Sequence, residues 1–262
     1  KLKLVAPCRE GKRYQQYVIL EYLAYKIYQI ITDQGFTVRL VRLSYVDRDE
    51  NLDPWTDFAF VIEDDKDMAR RLDLDRVNVE SVLYSQLNHP RLAVLQLFQF
   101  MIGNNDYSVI KPSGNDDCCH NMELLGVEDE TDPVMPDESI IPVPFDFDFS
   151  GLVNATYAAP PSVIPIRDVR FRYFYGLCVP RPILNEAIAE LQSKREEILA
   201  LIAGTEQLED SLREKNVSYI EDFFEILDDP EATNDEIVRR CRGVDLMNRY
   251  FDGAATDSTS DP

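Results

Sequence analysis

The sequence predicts an α+β fold, and three observations carry that expectation. A short strand pattern opens the chain and leads into a long apolar-striped helix; two extended runs then follow as a hairpin; and the last third is helical almost throughout. At 262 residues, 45% of them hydrophobic, the chain can build one large domain or two small lobes that share a core. Thirteen tyrosines and thirteen phenylalanines set it apart from disordered sequences.

Taken in order, Lys1 to Val5 alternate as a strand with both lysines on one face. Residues 15–32 read as a helix, with Ile19, Leu23, Ile27 and Ile31 repeating every four residues. Residues 37–46 and 57–63 are rich in β-formers, and the polar stretch between them reads as a hairpin loop. An acidic linker, Asp64 to Asp67, leads into a short helix near 68–72. A mostly helical region is expected from Val77. It culminates in the apolar stripe Leu92, Leu95, Phe98 and Ile102, with Gly103 at the C-cap. A polar loop spans 104–120. Residues 122–126 are a short strand, 127–139 an exposed acidic loop, and 140–149 extended again. From Arg181 the chain reads as one helix to Gly204, a second over 206–227, and a third from Thr233, where Glu236 completes a capping-box pattern. The small polar residues from 253 on read as a disordered tail.

Charge narrows the classes of partner. With 27 basic and 48 acidic residues the formal net charge is −21, which repels a nucleic-acid backbone. A polyphosphate bound to such a surface requires divalent cations to screen it. No apolar run reaches the length of a membrane span, and no signal peptide is visible. The chain opens at Lys1 without an initiator Met, so an upstream segment is expected, and the compartment stays open. Five cysteines, Cys8, Cys118, Cys119, Cys178 and Cys241, contain no C-x-x-C pair, which argues against zinc. They read as buried or free thiols, with room for one disulfide such as Cys8 with Cys178.

Three segments carry chemistry. An apolar helix delivers the chain to a polar loop holding Asp106, and Asn121 precedes the next short strand. One carboxylate that acts on a hydroxyl and a nearby Asn that holds magnesium are the parts of a phosphoryl-transfer site. The alternative is that these residues only cap a helix and form turns. The run Pro144-Phe-Asp-Phe-Asp-Phe sets Asp146 and Asp148 in apolar surroundings, on one face of a strand by alternation. Burying carboxylates is costly unless they are paired or bound to metal, so the two form a candidate magnesium site. The alternative is an exposed strand edge. Glu21 shares a helix stripe with Tyr17, Tyr25 and Tyr28. It suits pairing with a strand lysine, Lys1 or Lys3; the alternative, and the usual case for a Glu flanked by tyrosines, is a partly exposed helix position.

The series KLKLV, E-Y-L-A-Y, F-V-I-E, I-G-N-N-D, H-N-M-E-L-L and P-F-D-F-D-F-S-G resembles the atypical kinases of the spore-coat CotH type in residue type and order over roughly residues 1–180. It is closer still to uncharacterised bacterial relatives with an I-G-N-x-D…H-N…D-F-D-F-S-G-L-V-N pattern. The resemblance implies an atypical protein-kinase-like two-lobed fold. Residues 1–65 would form an incomplete N-terminal lobe that lacks a Gly-rich loop, and 66–252 a helical C-terminal lobe. By the same resemblance Lys1 or Lys3 would contact the ATP phosphates, Glu21 would hold that lysine, and Glu63 would end the strand beside the adenine. Asp106 would be catalytic, and Asn121, Asp146 and Asp148 would hold Mg2+. An ATP- and Mg2+-dependent phosphotransferase with a protein Ser/Thr or small-molecule acceptor is therefore expected. The alternatives are a nucleotide-binding scaffold without turnover and a hydrolase using Asp106 and Asp146 as a carboxylate pair. Extracytoplasmic residence is compatible with the resemblance.

Overall fold

The computed structural model describes residues 2–49, 51, 53–110, 118–127 and 136–243. Lys1, the 111–117 part of the polar loop, most of the acidic 127–139 stretch and the tail from 253 lie outside the described residues. The fold is α+β, with helices arranged around two small antiparallel sheets.

The first sheet joins β1 (Leu2–Val5), β2 (Val38–Tyr45) and β3 (Trp55–Glu63) in the order β1-β3-β2. The expected hairpin is present: Val38 faces Ile62 and Tyr45 faces Trp55, whose rings stack 4.8 Å apart. Between β1 and β2 runs α1 (Lys12–Ile31), which packs on the sheet. Its burial extends well around the helix, as its near-continuous apolar sequence requires, and includes Glu21.

Next comes α2 (Asp65–Arg71). The acidic stretch expected as a linker is its cap and first turn. Asp64 accepts from the Lys66 N–H, and Asp65 and Asp67 lie where the helix dipole favours negative charge. The region from Val77 is not helical until α3 (His89–Ile102), because Asn88 is the residue that caps the helix, accepting from the Arg91 N–H. Before it lie β4 (Asp75–Arg76) and a single 3₁₀ turn at Tyr84–Gln86. Gly103 ends α3 as expected, at φ 65°. The second sheet is β4-β5-β6, with β5 (Met122–Gly126) between β4 and β6 (Ile141–Pro144).

Three expectations for the C-terminal part need correction. The helix from Arg181 divides at Lys194 into α4 (Arg181–Ser193) and α5 (Arg195–Ala203). After α6 (Asp210–Asp228), the next helix starts at Pro230 rather than Thr233. Asp229 caps α7 (Pro230–Thr233), which passes into a π-helical turn at Asn234–Val238, while the Thr233 hydroxyl donates back to the Ile226 carbonyl. Cys178 pairs with Cys241, not with Cys8, which is exposed and free. That disulfide fastens the lead-in to α4 to the turn after the π-helix, beside the Leu177–Arg242 bridge. The sulfurs of Cys118 and Cys119 are in contact with each other.

The main core gathers α1, α3, α4, α5 and α6 around Phe60, Phe98, Phe147, Phe223 and Phe224, all fully buried. Phe147 links the two parts of the chain, since its ring meets Tyr25 of α1 at 4.6 Å and Phe98 of α3 at 5.4 Å. Among the described residues no helix is long and apolar enough to cross a membrane.

Candidate active site

The site lies where the end of α3, the start of β5 and the segment after β6 meet α1. Gly103 turns the chain out of α3, and Asn104 then closes a tight turn, its Oδ1 accepting from the Asp106 N–H at 3.0 Å. Only a residue without a side chain fits at 103. Its backbone is left-handed, and an added Cβ would run into the Tyr219 hydroxyl and the Val169 carbonyl. The turn therefore presents Asp106 from a fixed base.

Asn121 arrives from the other side. Its Nδ2 donates to the Asp106 carbonyl at 2.8 Å and to Asp106 Oδ2 at 3.2 Å, leaving the amide oxygen as its ligand-type atom. His120 Nε2 lies 3.0 Å from Asp106 Oδ1. The Asn121 carbonyl in turn accepts from the Phe145 N–H at 3.1 Å, which brings the Asp146 segment alongside. Residues distant in sequence thus converge through direct hydrogen bonds.

Asp146 and Asp148 do not share a strand face, which corrects the alternation argument. Strand β6 stops at Pro144, and Asp146 takes a left-handed φ of 61°, a conformation that cannot continue a strand. Asn121 is also left-handed, at φ 51°. Uncommon backbone of this kind persists where the surroundings over-determine it. Here α1 supplies that constraint. The Tyr25 hydroxyl accepts from the Asp146 N–H at 2.9 Å, and Glu21, one helical turn earlier, accepts from the Phe147 N–H. The sequence places Tyr25 on the Glu21 stripe, four residues on, but does not reveal that its hydroxyl holds the Asp146 turn. Tyr157, whose hydroxyl bonds Asp148, carried no signal at all.

The electrostatics are those of crowded carboxylates. Burial first, then the charges of Asp148 and Asp146, push the Glu21 pKa well above the ordinary value. Asp146 is raised by the protein packed around it and next by Asp106, and His120 partly offsets this. Asp148 is raised by burial and by Asp146, against the hydrogen bond from Tyr157. Carboxylates that raise one another favour an added cation.

The expected nucleotide-binding residues fare differently. Lys3 is exposed, with Nζ 6.0 Å from the Phe145 ring centroid. It makes no ion pair with Glu21, whose neighbouring charges are the two aspartates. Lys1 lies outside the described residues. Glu63 does end β3, but its carboxylate is engaged: Arg71 grips both oxygens, at 3.0 and 2.9 Å, and the Thr37 N–H donates at 3.0 Å. Burial opposes ionisation of Glu63, yet the Arg71 and Thr37 interactions outweigh it and lower the pKa. That carboxylate is thus held within the fold by Arg71 and Thr37. His89 is likewise structural, buried at the start of α3 with Nε2 3.2 Å from the Tyr84 carbonyl.

Among the described residues no three His, Cys, Asp or Glu side chains gather into a metal-holding group. Magnesium does not require one. It binds through one or two carboxylates, with substrate phosphates and water completing an octahedron, and the hard oxygens of Asn121, Asp146 and Asp148 are donors of that class. Family models, curated proteins and solved structures provide no match to this chain.

Proposed function

We propose that the chain is the catalytic part of an ATP- and Mg2+-dependent phosphotransferase of atypical kinase-like type, with a protein hydroxyl or a small molecule as acceptor. In this reading residues 1–65 form the N-terminal lobe, and 66–252 the lobe that carries catalysis and metal binding. The observation that carries the proposal is the hydrogen-bonded chain from Asp106 to Asn121 to the Phe145–Asp146 turn. It joins a base-type carboxylate, an Asn and an acidic turn, the parts that phosphoryl transfer uses. The fold lends further support, since helix α1, inserted between β1 and β2, supports the acidic turn through Glu21 and Tyr25.

The roles follow from position. Asp106, partly exposed and oriented by Asn121 and His120, is suited to accept or orient the proton of an acceptor hydroxyl. Asp146, Asp148 and the Asn121 amide oxygen would hold Mg2+, which when bound neutralises charge on the transferred phosphoryl group. Lys3, on the strand edge with Nζ 6.0 Å from the Phe145 ring centroid, would meet the nucleotide phosphates. Glu21 holds the Phe147 backbone, and in this reading a lysine drawn inward by nucleotide would pair with it.

A second reading has its own support. A Glu21 with no lysine partner among the described residues is also what a nucleotide-binding scaffold without turnover would show. Calorimetric titration of the full-length protein with ATP, with and without Mg2+, tests both readings. Magnesium-dependent binding is expected, and absence of binding removes both. Binding without phosphate transfer to any acceptor, water included, leaves the scaffold.

A further inference from the structure

A second cavity, of about 390 Å3, lies between the first turns of α1, the segment 152–154 and the first turns of α6. Arg13, Arg170 and Lys215 line it, against Glu209 as the only carboxylate in its wall among the described residues. That balance reverses the composition of a chain with 48 acidic and 27 basic residues.

The cavity is built rather than incidental. Gln16, itself buried, joins two walls: its Nε2 donates to the Gln207 carbonyl at 3.1 Å, and its Oε1 accepts from the Glu209 N–H at 2.8 Å. Arg170 is locked in place. It donates to the Gly151 carbonyl at 2.9 Å, to Asn216 Oδ1 at 3.0 Å and to the Lys215 carbonyl at 3.0 Å, and it stacks 3.9 Å from the centre of the Tyr219 ring. Its charge is therefore a fixed part of the wall. Arg13 and Lys215, by contrast, make no side-chain hydrogen bond or ion pair with another described residue, and they are exposed at the rim beside Ser211. Two exposed cations and a fixed guanidinium lining one cavity, with a hydroxyl at hand, match a compact dianion rich in acceptors.

We infer that this cavity is a phosphoryl-anion site, separate from the carboxylate turn, which ties the start of α1 to α6. It does not depend on the kinase-like reading. Its consequence for that turn is mechanical. Leu20 lines the cavity and directly precedes Glu21, so an anion that bridges Arg13 to Lys215 stiffens the helix that holds Asp146 and Phe147.

The test is thermal unfolding with sodium phosphate, against sodium chloride at equal ionic strength, with chelator present. A saturable rise in Tm with phosphate alone is expected. In the double variant R13Q/K215Q, whose side chains are exposed and unpaired, phosphate affinity should fall at least about tenfold. Asp146→Asn should retain wild-type phosphate affinity. A parallel arm with phosphoserine separates the sources. Tighter capture of phosphoserine indicates a phosphorylated side chain, and tighter capture of inorganic phosphate indicates the free ion. No stabilisation beyond chloride overturns the inference, as does undiminished phosphate binding in R13Q/K215Q. Loss in Asp146→Asn with R13Q/K215Q intact also overturns it, moving the anion to the carboxylate turn and leaving the nucleotide reading standing.

Discussion

The backbone N–H of Asp146 donates to the hydroxyl of Tyr25 at 2.9 Å, so the acidic turn is held from a helix 121 residues earlier in the chain. Tyr25 is buried, and its ring also packs on Phe60 and Phe147. Tyr25→Phe keeps those ring contacts and leaves the Asp146 N–H without its acceptor. The expected cost is about 1–3 kcal/mol of stability, together with weaker magnesium-dependent nucleotide binding. Urea unfolding and ATP titration of the variant measure the two effects. A variant that matches wild type in both would show that the hydroxyl does not hold the turn.

Asp146→Asn changes the charge of the turn and little of its volume. If Asp146 holds the metal, ATP should raise the Tm of wild type only with Mg2+ and should leave the variant unmoved. The variant without ligand should be at least as stable as wild type, because a carboxylate already raised by burial and by Asp106 has been removed. Thermal shift with and without Mg2+ decides the point, and equal nucleotide stabilisation of both proteins counts against Asp146 as ligand.

Most elements were legible because local signals and tertiary structure agree. Gly103 caps α3, the β2–β3 hairpin follows its β-rich runs, and Met122–Gly126 is a strand. The errors arise where a local pattern competes with a long-range contact. Alternation in Pro144-Phe-Asp-Phe-Asp suggested a strand, but Phe147 is drawn between Tyr25 and Phe98, and the chain must turn at Asp146 to bury it. Thr233 and Glu236 match a capping box, yet Asp229 with Pro230 starts the helix earlier. At the site, Asp106, Asn121 and Asp146 were legible as residue types in polar or acid-bearing segments. The roles of Tyr25 and Tyr157 were not, because each acts through a partner more than 100 or nine residues away that no local pattern specifies. Glu63 reads as available at a strand end, and only the folded structure reveals that Arg71, eight residues on, occupies its carboxylate.

Glu21 gives the stability a pH dependence of definite sign. Its folded pKa lies well above the ordinary 4.5, through burial first and then Asp148 and Asp146. A raised carboxyl pKa favours folding fully only below the unfolded value, where both states are protonated. As pH rises above about 4.5 the unfolded chain releases its proton and the folded chain retains it, so stability falls until the folded pKa is passed. Asp146 and Asp148 are raised too and contribute in the same direction. Glu21→Gln should therefore gain stability relative to wild type as pH rises from 4 to 8, with chelator present. Urea midpoints at several pH values measure this, and a variant whose loss with pH parallels wild type would mean that Glu21 is not the strained carboxyl.

Asp106 separates catalysis from binding. It is joined to Asn121 and His120, and it is assigned to the acceptor hydroxyl rather than to the nucleotide. In Asp106→Asn the side chain can still accept hydrogen bonds at its amide oxygen, but it cannot take up a proton. ATP affinity should therefore stay near wild type, while turnover of the full-length protein falls by about 10²–10⁴-fold, the usual range for such a group. The assay pairs ATP affinity with phosphate transfer to the protein itself, to mixed protein substrate and to water. Equal loss of affinity and turnover would make Asp106 a metal or nucleotide ligand instead. Unchanged turnover would leave it a turn-forming residue, held by Asn104 and Asn121 for the fold alone.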